Sequence, residues 1–239
     1  MGNAEAPYLL AQHVHLCVCG EHAVLMDLRR DKYVALSPAH LLADWVRGWP
    51  GTIEPNSHRS ALRARSLLSQ MLEQGMLVRD GPLGHPADPL AIAPVQATLL
   101  EFDFDERLTA TATQLGCFAL AWARARSALS MRPMHAIVRA VRARKARGSP
   151  GARAPDPTHE RALIMTFVHL RPLFYTLHRA CLLDSLTLVN FLAGYGVYPE
   201  WVFGVRTAPF DAHCWVQQGE VLLNDVPDRI LQYSPILLV

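Results

Sequence analysis

Apolar and polar residues alternate at the start of the chain, as they do in short β-strands. Val14, Leu16 and Val18 fall on one face of the first of these strands. Turn-forming residues separate it from two further apolar runs, at 23–28 and 32–36. The pattern therefore predicts a meander of three short antiparallel strands.

Helical spacing of apolar residues follows the meander. Ser37 and Pro38 predict the start of a helix, because Ser is a good N-cap and Pro is tolerated in the first turn. A second helix is predicted at 58–74 and a short strand at 76–78. The Pro- and Gly-rich stretch 81–89 has the composition of a linker.

The remainder of the chain is predicted to contain helices and then strands. The predicted helical regions are 106–146, 158–170 and 181–193, and the predicted strands are 198–205, 212–217 and 220–224. Helices followed by an antiparallel sheet indicate an α+β fold. Residues 90–156 are too apolar for a free linker, so we expect them to pack on the C-terminal core.

Composition and charge exclude several classes of protein. Of 239 residues, 51% are hydrophobic and 18% are charged, which argues against intrinsic disorder. Five cysteines are too few for a disulfide scaffold, and a net charge of +2 does not indicate a nucleic-acid-binding protein. The N-terminus lacks the features of a signal peptide, and no apolar run is long enough to span a bilayer. The sequence therefore predicts a cytoplasmic protein with reduced thiols and no membrane span.

A basic run lies at the end of the helical region 106–146. It consists of Arg139, Arg142, Arg144, Lys145, Arg147 and Arg153. One interpretation is a solvated helix C-terminus, where the helix dipole favours cations. The other is a binding surface for an acidic partner.

His13, His15, Cys17 and Cys19 alternate along the first strand and are all metal-ligand residue types. Residues at i and i+2 of a strand are about 6.5–7 Å apart, so the four side chains span about 20 Å. A single tetrahedral zinc, with ligands at about 2.0–2.3 Å, cannot bind all four. Two of them could bind a metal only together with a distant partner, so we predict an ordinary strand face.

Cys181, His213 and Asp225 form the strongest candidate site. Cys181 begins a predicted helix, where unpaired N–H groups and the helix dipole favour the thiolate. His213 and Asp225 follow in adjacent predicted strands. A nucleophilic thiol, a base and an orienting acid in this order predict covalent catalysis by cysteine.

The choice of Asp225 depends on the hairpin register. A three-residue turn at 217–219 places Asp225 diagonal to His213 and directs Asn224 to the other face. A two-residue turn would reverse that choice. The same alternation turns Cys214 away from His213 and places Trp215 on the His213 face, so we expect Cys214 to matter little.

Alternatives to this site exist in the sequence. A lone cysteine is most often a small buried hydrophobe. His178 and Asp184 are rival candidates for the base and the acid, although neighbours on one helix are poorly placed to surround a substrate carbonyl.

Three stretches resemble the transglutaminase-like leader peptidases of lasso-peptide biosynthesis, the B proteins. They are Cys181–Leu186, Gly204–Arg206 with Pro209–Val216, and Asn224–Asp225. Cys214 and Asp184 depart from that family, in which Ala is usual and Arg is frequent at these two positions. Asp31, Tyr33, Leu36 and Ser37 lie at matching positions before a predicted helix, and through them the N-terminal eighty residues resemble the precursor-recognition domain of peptide-maturation systems, similar to the pyrroloquinoline-quinone chaperone.

The resemblance implies a fold, a function and partners. It implies a small winged-helix-like recognition domain at 1–84 and a papain- or transglutaminase-like α+β protease domain at 90–239. The first would bind the leader of a lasso-peptide precursor as an added strand, and the expected leader-binding residues are Lys32, Tyr33, Val34 and Leu36. The second would cleave the leader from the core. An asparagine-synthetase-like, ATP-using cyclase is the implied partner, and no cofactor or metal is expected.

Two other functions remain open. The same three residues would serve a transglutaminase or an amidase. The chain would instead be a peptide-binding adaptor if its papain-like half were inactive.

Overall fold

The computed structural model describes residues 6–51, 58–79, 81–101, 110–148, 156–176 and 180–239. The chain forms two compact units. The first contains residues 1–91 and 205–210, and the second contains residues 92–204 and 211–239. The division into a recognition domain and a protease domain stays a prediction.

Two three-stranded sheets and one long helix form the first unit. Its elements are β1 (Leu9–Ala11), β2 (Val14–Cys19), β3 (His22–Asp27), β4 (Lys32–Leu36), α1 (His58–Glu73), β5 (Leu77–Val78) and β6 (Gly84–His85). The strand orders are β2-β3-β4 and β5-β1-β6, with antiparallel pairing throughout. The predicted meander is confirmed, and so are the second predicted helix and the strand after it.

The core of the first unit lies between its strands, α1 and the 3-10 helix Ala39–Leu42. Leu10, Val14, Leu25 and Leu42 are fully buried in one cluster. Apolar strand faces and one helix stripe are enough to form such a core, because each element has one apolar side to cover.

Two details of the first unit differ from the sequence analysis. Pro38, not Ser37, caps the 3-10 helix, and no side chain bonds the exposed N–H groups there. The stretch 81–89 is no linker, because β6 pairs with β1 and Ala87 is buried with its N–H bonded to the Arg47 carbonyl. Composition suggested a linker because Gly and Pro also occur in short strands at a sheet edge.

Helices and one mixed five-stranded sheet form the second unit. Its helices are α2 (Ala112–Met131), α3 (Met134–Gly148), α4 (Pro157–Leu170), α5 (Cys181–Ala193) and α6 (Pro227–Ile230). Its strands are β7 (Ala97–Thr98), β8 (Glu200–Thr207), β9 (Phe210–Gln218), β10 (Val221–Leu222) and β11 (Ser234–Leu238). The sheet order is β11-β8-β9-β10-β7, with β7 and β10 parallel. The predicted α+β class is confirmed.

An aromatic cluster joins three helices in the second unit. Phe118 of α2 is fully buried, with its ring 5.2 Å from that of Phe167 on α4 and 6.1 Å from that of Phe191 on α5. The described part of 90–156 therefore packs on the C-terminal core, as its apolar content predicts. None of the described helices combines the length and apolar character needed to cross a membrane.

Candidate active site

Cys181 is the first residue of α5, as the sequence predicts. Ala180, just before it, is the N-cap residue and makes no side-chain capping hydrogen bond. The Cys181 thiol is half-buried and lines a cavity of about 480 Å³. His213 and Asp225 line the same cavity. The structure thus brings the three predicted residues together.

His213 lies in β9 and is held by Asp225. Its Nε2 is 2.6 Å from Oδ2 of Asp225, and the two side chains are only 10% and 6% exposed. Because Nε2 is bonded to the carboxylate, Nδ1 is the ring nitrogen left for the thiol of Cys181. Trp215 is fully buried with its ring 6.4 Å from the imidazole, on the face where alternation predicts it.

Hydrogen bonds favour the thiolate of Cys181. The Cys214 S–H is the strongest influence and, with His213 and the Cys214 backbone N–H, lowers the pKa of Cys181 to about 4. Burial acts in the opposite direction and is outweighed. The thiolate therefore exists at neutral pH, which a nucleophilic cysteine requires.

His213 is correspondingly held in its charged form. Burial lowers the pKa of His213, but the hydrogen bonds and charges of Asp225 and Cys181 outweigh it and raise the pKa to about 9. Between about pH 4 and pH 9 the two residues therefore form a thiolate–imidazolium pair. Such a pair has both the nucleophile and the proton needed for acyl transfer.

Cys214 lies beside Cys181 in the cavity, so we now expect it to influence the thiolate, although strand alternation alone predicts that it matters little. Its side chain is 3% exposed, lines the cavity and donates a hydrogen bond to the Cys181 thiolate. Burial and the neighbouring thiolate raise the pKa of Cys214 well above that of a free thiol, so it remains a donor. Strand alternation correctly predicts that the Cys214 side chain points to the face of β9 opposite His213. It does not predict that the start of α5, with Cys181, lies on that opposite face.

The hairpin register also differs from the prediction. Gln218 pairs with Val221 and Gln217 with Leu222, so the turn contains two residues and not three. Gly219 has a φ of 57°, the left-handed conformation predicted for it. In this register a continuing strand would turn Asp225 away from His213. The strand instead ends at Leu222, and a bend at 223–225 directs Asp225 back to the imidazole.

Asn224 produces that bend. Its Oδ1 accepts a hydrogen bond from the Val216 N–H at 2.8 Å, where a regular ladder would use the Leu223 carbonyl. Its Nδ2 donates to Asp184 Oδ2 at 2.7 Å and to Ser185 Oγ at 3.1 Å. The amide thus connects β9, the bend and α5. Sequence reasoning placed Asn224 on an unimportant face and missed this role.

Asp184 is a buried structural partner and not the acid of the site. It is 2% exposed and accepts from Tyr175 Oη at 2.8 Å, with Arg171 Nη1 at 3.5 Å. Burial raises the pKa of Asp184, and Arg171, Asn224 and Tyr175 oppose that effect. The rival base, His178, lies outside the described residues.

Other contacts fix the Asp225 carboxylate. Thr98 Oγ1 donates to the Asp225 carbonyl at 2.7 Å, and the Val226 N–H donates to Oδ1 at 2.8 Å. Arg229 approaches Oδ1 at 3.5 Å, but its side chain is 60% exposed and solvent screens it. No sequence signal links Thr98 to a residue 127 positions away.

The remaining predicted residues lie in the first unit. Lys32, Tyr33, Val34 and Leu36 form β4, an outer strand of its sheet, with Lys32 and Val34 exposed. In the described part of the chain, no group of three or more His, Cys, Asp and Glu residues is arranged to hold a metal ion.

Comparison with known proteins agrees with this geometry. A family model described as the transglutaminase-like superfamily matches residues 107–238, which is more than half of the chain. Neither the curated proteins nor the solved structures contain a match. Members of this superfamily are typically cysteine proteases or acyltransferases, the two activities for which a thiolate–imidazolium pair is suited. The matched segment contains Cys181, His213 and Asp225, and the chain belongs to the transglutaminase-like superfamily.

Proposed function

We propose that this protein is a cysteine endopeptidase that removes the leader from a lasso-peptide precursor before macrolactam formation. The observation that carries the proposal is the charged pair of Cys181 and His213, oriented by Asp225, inside one cavity. The choice of a lasso-peptide precursor as the substrate, and of its leader as the part removed, rests on the resemblance of residues 157–226 to the leader peptidases.

The proposed reaction proceeds in two steps. The Cys181 thiolate attacks the scissile carbonyl carbon, and the His213 imidazolium gives its proton to the leaving amine as the C–N bond breaks. Water, deprotonated by the now neutral His213, then attacks the thioester carbonyl, and the C–S bond breaks to release the acid and restore the thiolate–imidazolium pair. Asp225 stabilises the imidazolium and fixes its tautomer. The Cys181 backbone N–H is the candidate donor to the oxyanion.

β4 is the proposed docking site for the leader. It is an outer strand, and the Val34 side chain is 37% exposed. An extended peptide can add to such an edge through main-chain hydrogen bonds. Lys32, Tyr33 and Leu36 would then contact alternate side chains of the leader.

Mass spectrometry of a lasso-type precursor incubated with the protein tests the proposal. We expect a single cut between leader and core, and no cut with Cys181→Ala. Cross-linked or deamidated precursor would instead assign a transglutaminase or an amidase. An unchanged precursor that still binds would assign an adaptor. The ATP-using cyclase is the proposed recipient of the released core.

A further inference from the structure

The two helices α2 and α3 carry a one-sided charge. Residues 112–148 contain no Asp or Glu and eight basic residues, whereas the whole chain has 23 basic and 21 acidic residues. The eight are Arg124, Arg126, Arg132, Arg139, Arg142, Arg144, Lys145 and Arg147. A net charge of +2 for the whole chain therefore conceals a strongly basic helical pair.

Three of these arginines converge on one cavity, which the proposed peptidase reaction does not use. Arg124, Arg132 and Arg144 line a space of about 490 Å³ among α2, α3 and α5. Among the described residues that line it there is no carboxylate, and the remaining walls are mostly small or apolar, including Ile137 and Leu186. Like charges facing one cavity without a counter-charge repel each other unless an anion occupies it.

Arg144 is held in place with one donor group unused. Its Nη1 donates to Asn190 Oδ1 at 2.8 Å, which fixes the guanidinium. Its Nη2 is buried and has no hydrogen-bond partner among the residues that the structure describes. Burial, together with the charges of Arg124 and Arg147, lowers the pKa of Arg144, which a nearby tyrosine partly offsets. A buried, unused donor is the usual mark of a missing acceptor.

We propose that this cavity binds the carboxylate of an acidic residue in an apolar peptide segment. Guanidinium groups pair with carboxylates through two parallel hydrogen bonds. The apolar walls at Ile137, Val141 and Leu186 suit the carbon chain that carries such a group. Phosphate pairs with guanidinium groups in the same way, so the apolar walls are what favour a carboxylate on a carbon chain, and phosphate is one outcome of the test. This site is separate from the Cys181 cavity and does not depend on the proposed peptidase function.

Binding of a short labelled peptide of alternating Leu and Glu to the full-length protein tests the proposal. We expect saturable binding that weakens with salt, and none with the matched peptide of Leu and Gln. Arg144→Gln and Arg132→Gln should each weaken binding roughly tenfold or more, as loss of a charged hydrogen bond does. Arg139→Gln is the matched control, since Arg139 lies on α3 and is exposed but does not line the cavity. It should leave binding unchanged.

Three outcomes would overturn the proposal. Equal weakening by Arg139→Gln would mean a diffuse basic surface and no site. If the Leu–Gln peptide bound as tightly as the Leu–Glu peptide, or if neither peptide bound, the cavity would not be a carboxylate site. Displacement by inorganic phosphate at lower concentration than by acetate would make phosphate the ligand. Arg132 is exposed, so its variant keeps the test valid if Arg144→Gln fails to fold. Measuring binding in Cys181→Ala as well separates this result from any failure of the peptidase proposal.

Discussion

The pKa values of Cys181 and His213 stand in the reverse of their usual order, with the thiol below the imidazole. A free cysteine titrates near 9.0 and a free histidine near 6.5, but here the pKa of the thiol is about 4 and that of the imidazole is about 9. Each charge stabilises the other, and Asp225 and Cys214 stabilise the pair from its two sides. The charged pair is therefore already present in the protein without substrate.

This pair predicts a bell-shaped dependence of kcat/KM on pH. Activity should fall below about pH 4, where Cys181 becomes protonated, and above about pH 9, where His213 loses the proton that the leaving amine needs. Steady-state cleavage of a peptide substrate from pH 3.5 to 10 measures both limbs. An acid limb near pH 6.5, the ordinary pKa of histidine, would instead mean a neutral thiol that neutral His213 deprotonates during the reaction.

Cys214 predicts a second, separable effect. Cys214→Ala removes the S–H donor, so the pKa of Cys181 should rise by about one unit or more, given about 1.5–3 kcal/mol for a hydrogen bond to a charged group. The rate of Cys181 alkylation by iodoacetamide against pH measures this shift. Cys117→Ala removes a thiol from α2 and is the control. An unchanged alkylation profile in Cys214→Ala would show that its thiol does not stabilise the thiolate.

At the scale of elements, the site depends on where β10 ends. The two-residue turn would place Asp225 on the wrong face of a regular strand, and only the bend after Leu222 returns it to His213. Asn224 stabilises that bend by bonding Val216 on one side and Asp184 on the other. A break in strand regularity is thus part of the geometry of the candidate site.

Variants of the two neighbours should behave differently. Asp225→Asn should leave the fold intact and lower kcat by up to about 10⁴-fold, because the imidazolium loses its counter-charge. Asn224→Ala should lower the free energy of unfolding by about 1–3 kcal/mol, because it leaves buried polar groups unpaired. It should also lower kcat, because the bend that positions Asp225 loses its hydrogen bonds. Urea unfolding beside steady-state kinetics separates the two. If the Asn224→Ala variant were stable and fully active, Asn224 would not position Asp225.

These elements also show what the sequence could predict. Local apolar periodicity located β2 to β4, α1, α4 and α5, because burial of one face sets each of them. The prediction of Asp225 as the partner of His213 rests on a three-residue turn, and that register is wrong. In the structure the same two residues are hydrogen-bonded because the strand ends and the chain bends. The bend depends on a hydrogen bond between residues 40 positions apart, Asn224 and Asp184, which no local pattern encodes. The same holds for Cys214, whose role depends on which helix covers it.

At the scale of the whole molecule, two compact units carry two different proposed tasks. The second contains the complete charged pair and its acid. The first offers an outer strand with exposed side chains. A peptidase that binds its substrate away from the reacting carbonyl gains effective concentration from the tether between the two. Substitutions in β4, the proposed docking strand, should therefore raise KM and leave kcat unchanged.

Val34→Asp tests that division of tasks in the full-length chain. Val34 is 37% exposed on β4, and a charge there should weaken leader binding roughly tenfold by disfavouring an apolar strand contact. Val18→Asp is the matched control, because Val18 is 38% exposed on β2, the opposite outer strand of the same sheet. Isothermal titration with a synthetic leader gives the affinity, and iodoacetamide alkylation of Cys181 shows whether the active pair is intact. We expect Val34→Asp alone to lose affinity, with both variants alkylated at the wild-type rate. Equal loss in both variants, or in neither, would mean that β4 does not dock the leader, whatever the second unit cleaves.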